Sequence, residues 1–120
     1  MCGIAGFLGE GVSRDELSGM TDALRHRGPD AYALWTSPDG TAGFGHTRLS
    51  IIDIESGSQP MVSASGRYVV TYNGEIYNYR DLREQFAREG YRFRTRSDTE
   101  VILVAFERFG EKCLDLLDGM

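Results

Sequence analysis

The sequence is poor in the residues that bind metal ions and cross-link secreted domains. Its 120 residues contain two cysteines, Cys2 and Cys113, and two histidines, His26 and His46. The cysteines lie near opposite ends of the chain and form no CxxC pair, so a zinc site would need all four side chains to meet. We therefore predict a reduced, cytoplasmic protein without a metal site.

The chain also lacks an excess of positive charge and long apolar runs. It has 13 Lys and Arg against 18 Asp and Glu, a net charge of −5. This balance disfavours nucleic acid or an anionic membrane as a partner, because both attract basic surfaces. No run approaches the roughly 18 apolar residues of a membrane span. The N-terminus lacks the basic and long apolar regions of a secretory signal.

Glycine, in contrast, is abundant. The chain has 15 glycines in 120 residues, well above the average share of about 7%. They cluster in the segments GEG, RHRGPD, DGTAGFGH and NGE. Because glycine lets the backbone approach other groups closely, this pattern indicates backbone shaped around a small molecule. Length and a hydrophobic content of 41% predict one globular domain.

Apolar periodicity predicts strands in the first part of the chain and helices in the last. Ser13 and Glu16 have the spacing of a capping box before a helix with Leu17, Met20 and Leu24 on one face, which Gly28-Pro29 would stop. The predicted strands are 2–8, 31–36, 42–54 and 67–72. This order predicts the α+β class with largely antiparallel strands.

Two longer helices are predicted in the second half. One carries Tyr79, Leu82 and Phe86 on one face and ends at Gly90. The other follows a second capping-box spacing, SDTE at 97–100, and runs to Gly110 before a short helical stretch. No GxGxxG follows a strand and no GxxxxGK[ST] is present, so a nucleotide-binding α/β fold is not indicated.

Cys2 directly follows Met1, and removal of Met1 would leave the thiol on the terminal residue. A free α-amine has a reference pKa of about 7.7–8.0, so part of it is basic at neutral pH. It can then serve as the general base for the thiol of the same residue. The alternative is an inert cysteine buried in the first strand, and Cys2 taken alone favours it.

Arg48 lies in the segment GFGHTRLSIID. Its planar guanidinium could hold the α-carboxylate of an amino acid in a bidentate manner. The alternative is a surface arginine paired with a nearby acid. His46 is better explained as a structural hydrogen-bonding group than as a base.

Asn73 and Gly74 could donate a side-chain and a backbone N–H to an oxyanion, although Asn-Gly is also an ordinary tight-turn signal. Glu75 adds a carboxylate. Asp98, in the first turn of a predicted helix, could interact with the helix dipole or with a substrate ammonium group. Together with Cys2, this set suits an α-amino acid with an electrophilic carbonyl on its side chain.

The motifs MCGIAGF, RHRGPD, GHTRLSIID, QPM, YNGEIYNYRDLR and SDTEVIL occur in this order. In this combination the sequence resembles the glutamine amidotransferase domain of the glutamine-hydrolysing asparagine synthetase family, over essentially all 120 residues. CGIxGF alone is shared with other amidotransferases that use an N-terminal nucleophile. RHRGPD, RLSIID and NGEIYNY are more particular to this branch.

The resemblance implies an N-terminal-nucleophile hydrolase fold, an αββα sandwich of antiparallel sheets. It implies that Cys2, once Met1 is removed, attacks the side-chain amide of glutamine, and that Asn73 and Gly74 form the oxyanion hole. It further implies substrate-binding roles for residues that hold the α-carboxylate, line the same pocket or receive the α-ammonium group: Arg48, Leu49, Ser50, Ile51, Ile52, Asn73, Gly74, Glu75 and Asp98.

The resemblance also sets expectations for the whole protein. Residues 1–120 would form a glutaminase domain that is incomplete at its C-terminus, because family members continue beyond LLDGM into further strand sequence. The ATP-dependent synthetase domain is absent, and ATP and Mg are expected only there, with no cofactor in the glutaminase domain. The expected partners are glutamine, the synthetase domain of the same full-length chain and, as one option, a second copy in a homodimer.

The function implied is hydrolysis of glutamine through a cysteinyl thioester, which supplies ammonia for the ATP-dependent amidation of aspartate to asparagine. One alternative is a glutamine-binding or assembly fragment without activity. Another is the glutaminase part of a relative that amidates a different carboxylate, since these residues do not identify the ammonia acceptor.

Overall fold

The computed structural model describes residues 2–49 and 57–120. These residues form two compact units: the first comprises 2–49, 58–60 and 71–73, and the second comprises 57, 61–70 and 74–120. All strand pairs among them are antiparallel, so the predicted α+β class is confirmed. The elements are β1 (Gly3–Leu8), α1 (Arg14–Asp22), β2 (Ala31–Thr36), β3 (Ala42–Arg48), β4 (Met61–Val62), β5 (Val69–Val70), α2 (Tyr79–Arg88) and α3 (Asp98–Phe109), with 3-10 turns at Arg25–Arg27 and Gly110–Asp115.

The first unit is built on a three-stranded sheet in the order β1-β3-β2. The β2–β3 hairpin is closed by a turn in which Asp39 Oδ1 accepts hydrogen bonds from Ser37 Oγ (2.6 Å), Thr41 Oγ1 (2.9 Å) and Thr41 N (3.1 Å). These bonds, that of the Ser37 hydroxyl most of all, lower the pKa of Asp39 to about 2. The turn therefore carries a fixed negative charge that organises its own donors.

Helix α1 begins as predicted and ends earlier than predicted. The Ser13 hydroxyl accepts from Glu16 N (3.2 Å) and the Glu16 carboxylate accepts from Ser13 N (2.7 Å), so the capping box is confirmed. The helix ends at Asp22 rather than at Gly28-Pro29, because Leu24 N bonds to Thr21 O, three residues back, and the chain tightens into a 3-10 turn.

The face of α1 that packs on the sheet consists of Leu17 and Thr21, both fully buried, whereas Met20 is 44% exposed. Met20, which has helical spacing with Leu17, therefore lies outside the buried face. A Cβ atom added at Gly45 would overlap the Thr21 hydroxyl, and one at Gly43 would overlap the Phe7 ring. These two glycines of β3 accommodate a helix and a ring, not the small molecule that the glycine pattern predicted.

The second unit packs α2 and α3 around an apolar core, and its β4–β5 ladder pairs Met61 with Val70. The core residues are Leu82, Phe86, Val101, Val104, Ala105 and Cys113. Helix α2 lies within the predicted span, and Gly90 follows it with φ +99°. Of the strand predicted over 67–72, only Val69–Val70 forms, because β4 supplies only two residues to pair with it.

Helix α3 is capped by Ser97, whose hydroxyl accepts from Thr99 N (3.2 Å). The predicted capping box is wrong in its second half. Glu100, 3% exposed, turns away from Ser97 and accepts from Arg94 N (2.9 Å), Thr95 N (2.7 Å) and the Thr95 hydroxyl (2.6 Å). These three bonds satisfy a buried carboxylate, which outweighs a single bond back to the cap.

The strand predicted over 42–54 forms as β3 through Arg48, and positions 50–54 lie outside the described residues. The Asn73-Gly74 pair does not close a hairpin between flanking strands. The residues after it pair with the segment 118–120 instead: Glu75 N bonds to Met120 O (3.0 Å) and Met120 N to Glu75 O (2.9 Å).

The close approach of α1 to β3 predicts opposite effects of alanine at two glycines of the first unit. Gly45→Ala should destabilise the chain by about 1–3 kcal/mol, because the methyl group overpacks against Thr21. Gly19→Ala, on α1 with open space at its Cβ position, should stabilise it by about 0.5–1 kcal/mol through helix propensity. Urea unfolding measures both, and a Gly45→Ala variant as stable as the wild type would contradict the packing argument.

Candidate active site

Cys2 lies immediately before β1 and is half-buried. Its Sγ accepts from Leu49 N at 3.3 Å, and its carbonyl oxygen accepts from Arg27 Nε at 3.0 Å. The antiparallel pairing of Gly3 with Thr47 explains this position, because the start of β1 lies beside the end of β3. The thiol and the carbonyl of Cys2 are thus each held by a separate donor.

The two cysteines differ in their surroundings. Cys113 is 2% exposed within the core of the second unit, and burial, reinforced by the nearby charge of Asp115, raises the pKa of its thiol. Cys2 is accessible by comparison. Cys113 is thus a buried thiol, whereas Cys2 is only half-buried.

Arg48 is the last residue of β3 and is 7% exposed. Its carbonyl accepts from Asp30 N (2.9 Å) and it pairs with Ala31 of β2, so its backbone is fixed by the sheet. This burial excludes a surface position for Arg48. Leu49 follows directly, whereas Ser50, Ile51 and Ile52 lie outside the described residues.

His46 is 1% exposed on β3, and its Nε2 lies 3.3 Å from the carbonyl oxygen of Tyr72, to which it donates. Burial lowers the pKa of His46, and the charge of Arg48 adds to this effect, against the opposing hydrogen bond to Tyr72. The imidazole is therefore neutral at pH 7 and serves as a structural hydrogen-bonding group, as the sequence predicts.

Asn73 belongs to the first unit, and Gly74 and Glu75 belong to the second. The residue before Asn73, Tyr72, donates its N–H to Gln59 Oε1 at 2.6 Å. The side chain of Glu75 is exposed while its backbone is paired with Met120. The backbone directly before Asn73 is thus held by Gln59, a side chain of the same unit.

Asp98 is buried as the first residue of α3. Its Oδ2 accepts from Ile76 N at 3.0 Å, and Ser97 Oγ lies 3.4 Å from its Oδ1. The Asp98 carboxylate is thus bonded to the backbone of the residue that follows Glu75. The bond to Ile76 was not anticipated from the sequence, which indicated only a helix-dipole role or a substrate role.

Two further residues, for which the sequence predicts no role, contact Cys2 or the residue before Asn73. Arg27 holds the carbonyl of Cys2, and Gln59 holds the N–H of Tyr72. Both lie in motifs that carry the family resemblance, RHRGPD and QPM. Membership in those motifs is the signal that could have singled them out.

The part of the chain that the structure describes contains no group of three or more His, Cys, Asp or Glu side chains arranged to hold a metal ion. Nor, within 2–49 and 57–120, is any helix long and apolar enough to cross a membrane.

The family profile described as "Glutamine amidotransferase domain" matches residues 1–120. The chain therefore belongs to the glutamine amidotransferase domain family, and the resemblance found in the sequence is confirmed.

Two curated relatives are both named as glutamine-hydrolyzing asparagine synthetases. The chain is 41% identical over 126 residues to asparagine synthetase (glutamine-hydrolyzing) 1 of Bacillus subtilis, with 100% of this chain and 20% of that protein covered. It is 43% identical over 124 residues to asparagine synthetase (glutamine-hydrolyzing) 2 of Arabidopsis thaliana, with 100% and 21% covered. The chain thus spans about a fifth of the length of these relatives.

The lowered pKa of His46 predicts a pH-dependent stability. In the unfolded chain His46 binds a proton near pH 6.5, whereas in the folded chain its pKa is lower. The contribution of His46 to the free energy of unfolding is therefore fully present above about pH 6.5 and decreases as the pH falls below that value. His46→Gln, which cannot titrate, should show a shallower loss in free energies of unfolding measured between pH 5 and 8. His26→Gln, at an exposed histidine, is the matched control. Equal slopes in the wild type and His46→Gln would contradict the assignment.

Proposed function

We propose that the chain hydrolyses the side-chain amide of glutamine to glutamate and ammonia through a thioester on Cys2. The observation that carries the proposal is the half-buried Cys2 directly before β1, whose thiol accepts from the N–H of Leu49, the residue after the buried Arg48, in a member of the glutamine amidotransferase domain family. The N-terminal-nucleophile hydrolase sandwich of four layers is part of the same proposal.

In the proposed reaction, removal of Met1 leaves Cys2 with a free α-amine that takes the thiol proton. The sulfur attacks the side-chain carbonyl carbon of glutamine, and the carbonyl oxygen becomes an oxyanion. Collapse of this intermediate breaks the carbon–nitrogen bond, and the amine returns its proton to the departing ammonia. Water, deprotonated by the same amine, then attacks the thioester, releases glutamate and restores the thiol.

Asn73 and Gly74 are proposed to donate hydrogen bonds to the oxyanion through a side-chain amide and a backbone N–H. The hydrogen bonds that hold Tyr72 support this role for Asn73, because an oxyanion donor has to be positioned before the reaction. The role of Gly74 rests on its place in the family motif.

Arg48 is proposed to bind the α-carboxylate of glutamine, with the backbone of 49–52 lining the same pocket. Its burial supports this role, since a desolvated guanidinium binds a carboxylate more strongly than an exposed one. Glu75 and Asp98 are proposed to receive the α-ammonium group. Asp98 keeps one oxygen on Ile76 N, which fixes the direction of its carboxylate.

In the full-length protein we propose that the ammonia serves the ATP-dependent amidation of aspartate to asparagine. The names of the relatives, asparagine synthetase (glutamine-hydrolyzing), support this assignment. Because the chain spans a fifth of their length, the synthetase domain would lie elsewhere in the same polypeptide and would hold the ATP and Mg. The glutaminase reaction written above uses no cofactor.

The first test replaces each cysteine in turn. Cys2→Ala should abolish ammonia release from glutamine, whereas Cys113→Ala should retain it per folded molecule, because only Cys2 forms the thioester. Ammonia and glutamate are measured together, and the intact mass reports the loss of Met1. Ammonia release by Cys2→Ala would overturn the nucleophile. A wild-type chain without Met1 that binds glutamine and releases nothing would indicate a binding fragment.

The second test separates substrate binding from oxyanion stabilisation. Asn73→Ala should lower kcat by about 10²–10³-fold, because an oxyanion donor acts mainly in the transition state. Arg48→Ala should mainly raise KM, because a carboxylate contact is present in the ground state and the transition state alike. Steady-state kinetics on glutamine give both constants. An Asn73→Ala variant in which KM alone changes would remove Asn73 from the reaction.

A further inference from the structure

The backbone N–H and the backbone carbonyl of Tyr72, the residue directly before Asn73, are each bonded to a side chain. Its N–H donates to Gln59 Oε1 at 2.6 Å, and its carbonyl oxygen accepts from His46 Nε2 at 3.3 Å. Residues 71–73 belong to no helix or strand. The two side chains therefore supply to Tyr72 the pair of hydrogen bonds that a neighbouring strand would supply in a sheet.

The two holding residues come from distant parts of the sequence, 13 and 26 residues from Tyr72. His46 is almost fully buried on β3, the central strand of the first unit, and pairs with Ile4 on one side and Ala33 on the other. The backbone that carries its ring is therefore restrained by pairing with strands on both sides.

The same strand leads to the nucleophile. Two residues after His46 comes Arg48, and the N–H of Leu49 donates to the Cys2 thiol. The strand thus fixes the thiol at its end and, through His46, the carbonyl of the Tyr72–Asn73 peptide. The Cys2 sulfur and Tyr72, the residue before the proposed oxyanion donor, are therefore both hydrogen-bonded to β3 or to the residue that follows it.

We propose that Gln59 and His46 are positioning residues: by bonding the N–H and the carbonyl of Tyr72 they fix the backbone that leads into Asn73, so that the Asn73 amide points at the oxyanion. The inference rests on the proposed oxyanion role of Asn73. Donors have to lie within about half an ångström of the productive position, and the two bonds to Tyr72 restrain the residue directly before the proposed donor. Neither residue touches the substrate in this role.

The decisive variants change the acceptor at position 59. Gln59→Met removes the acceptor at similar side-chain length and should lower kcat roughly 10–100-fold, as expected for a misplaced catalytic group, with little change in KM for glutamine. Gln59→Glu keeps an acceptor oxygen and should stay within a few-fold of the wild type. Gln85→Met, on the exposed face of α2, is the matched control and should leave both constants unchanged.

A double-mutant cycle separates positioning from a merely structural role. If Gln59 acts through Asn73, then Gln59→Met added to Asn73→Ala should lower kcat by less than about twofold further. A structural role would lower kcat by the same factor in both backgrounds. His46→Leu should behave as Gln59→Met does, and the rate at which iodoacetamide alkylates Cys2 should stay at the wild-type value in Gln59→Met.

The outcomes distinguish this inference from the function on which it rests. Ammonia release that survives Cys2→Ala, or is absent from the wild type, overturns the proposed function and the inference with it. If Cys2→Ala is inactive and Asn73→Ala lowers kcat, the function stands. The inference alone is then overturned by a wild-type kcat in Gln59→Met, by equal losses in Gln59→Met and Gln59→Glu, or by additive losses in the double mutant.

Discussion

The antiparallel pairing of β1 with β3 is the constraint on which the proposed chemistry depends. Its register, Gly3 with Thr47 and Leu8 with Ala42, places the residue before β1 beside the residue after β3. A shift of one residue would turn the side chains of β1 to the other face of the sheet and would separate the Cys2 thiol from Leu49 N–H. Arg27 adds a second restraint at the Cys2 carbonyl.

The register is in turn specified by close packing on one face of the sheet. Gly43 and Gly45 admit the Phe7 ring and the Thr21 side chain where a larger residue would not fit. Thr21 also donates to Leu17 O (2.7 Å), so its hydroxyl is satisfied in an apolar contact. The glycines of β3 therefore connect helix packing to the geometry at the far end of the strand.

Local signals in the sequence predicted local structure well. The Ser13–Glu16 capping box needs only residues within one turn, and it formed as predicted. The failures concern hydrogen-bond partners that spacing alone does not select: Glu100 bonds to Arg94 and Thr95, six and five residues before it, instead of to Ser97, and the residues after Asn73-Gly74 pair with 118–120. Propensity and spacing contain no information about such partners.

The candidate site shows the same division. The residue types that suit an amino-acid substrate could be chosen from chemistry and motif alone, and membership of the family is confirmed. The burial of Arg48, the bond from Asp98 to Ile76 and the contacts made by Arg27 and Gln59 depend on tertiary contacts. No pattern of neighbouring residues specifies them, because each joins positions at least 13 residues apart or depends on the fold around the residue.

The hairpin turn at Asp39 has a consequence for the order in which acid loosens the first unit. Asp39 is exposed, yet its pKa of about 2 means that the stability it contributes, complete above its ordinary pKa, is lost only as the pH falls toward that value. His46 lies on the central strand of the sheet, and burial lowers its pKa. The stability that its neutral form contributes therefore begins to fall at a much higher pH, near the ordinary pKa of histidine. Acidification therefore removes the stabilising contribution of the buried imidazole before that of the exposed turn carboxylate.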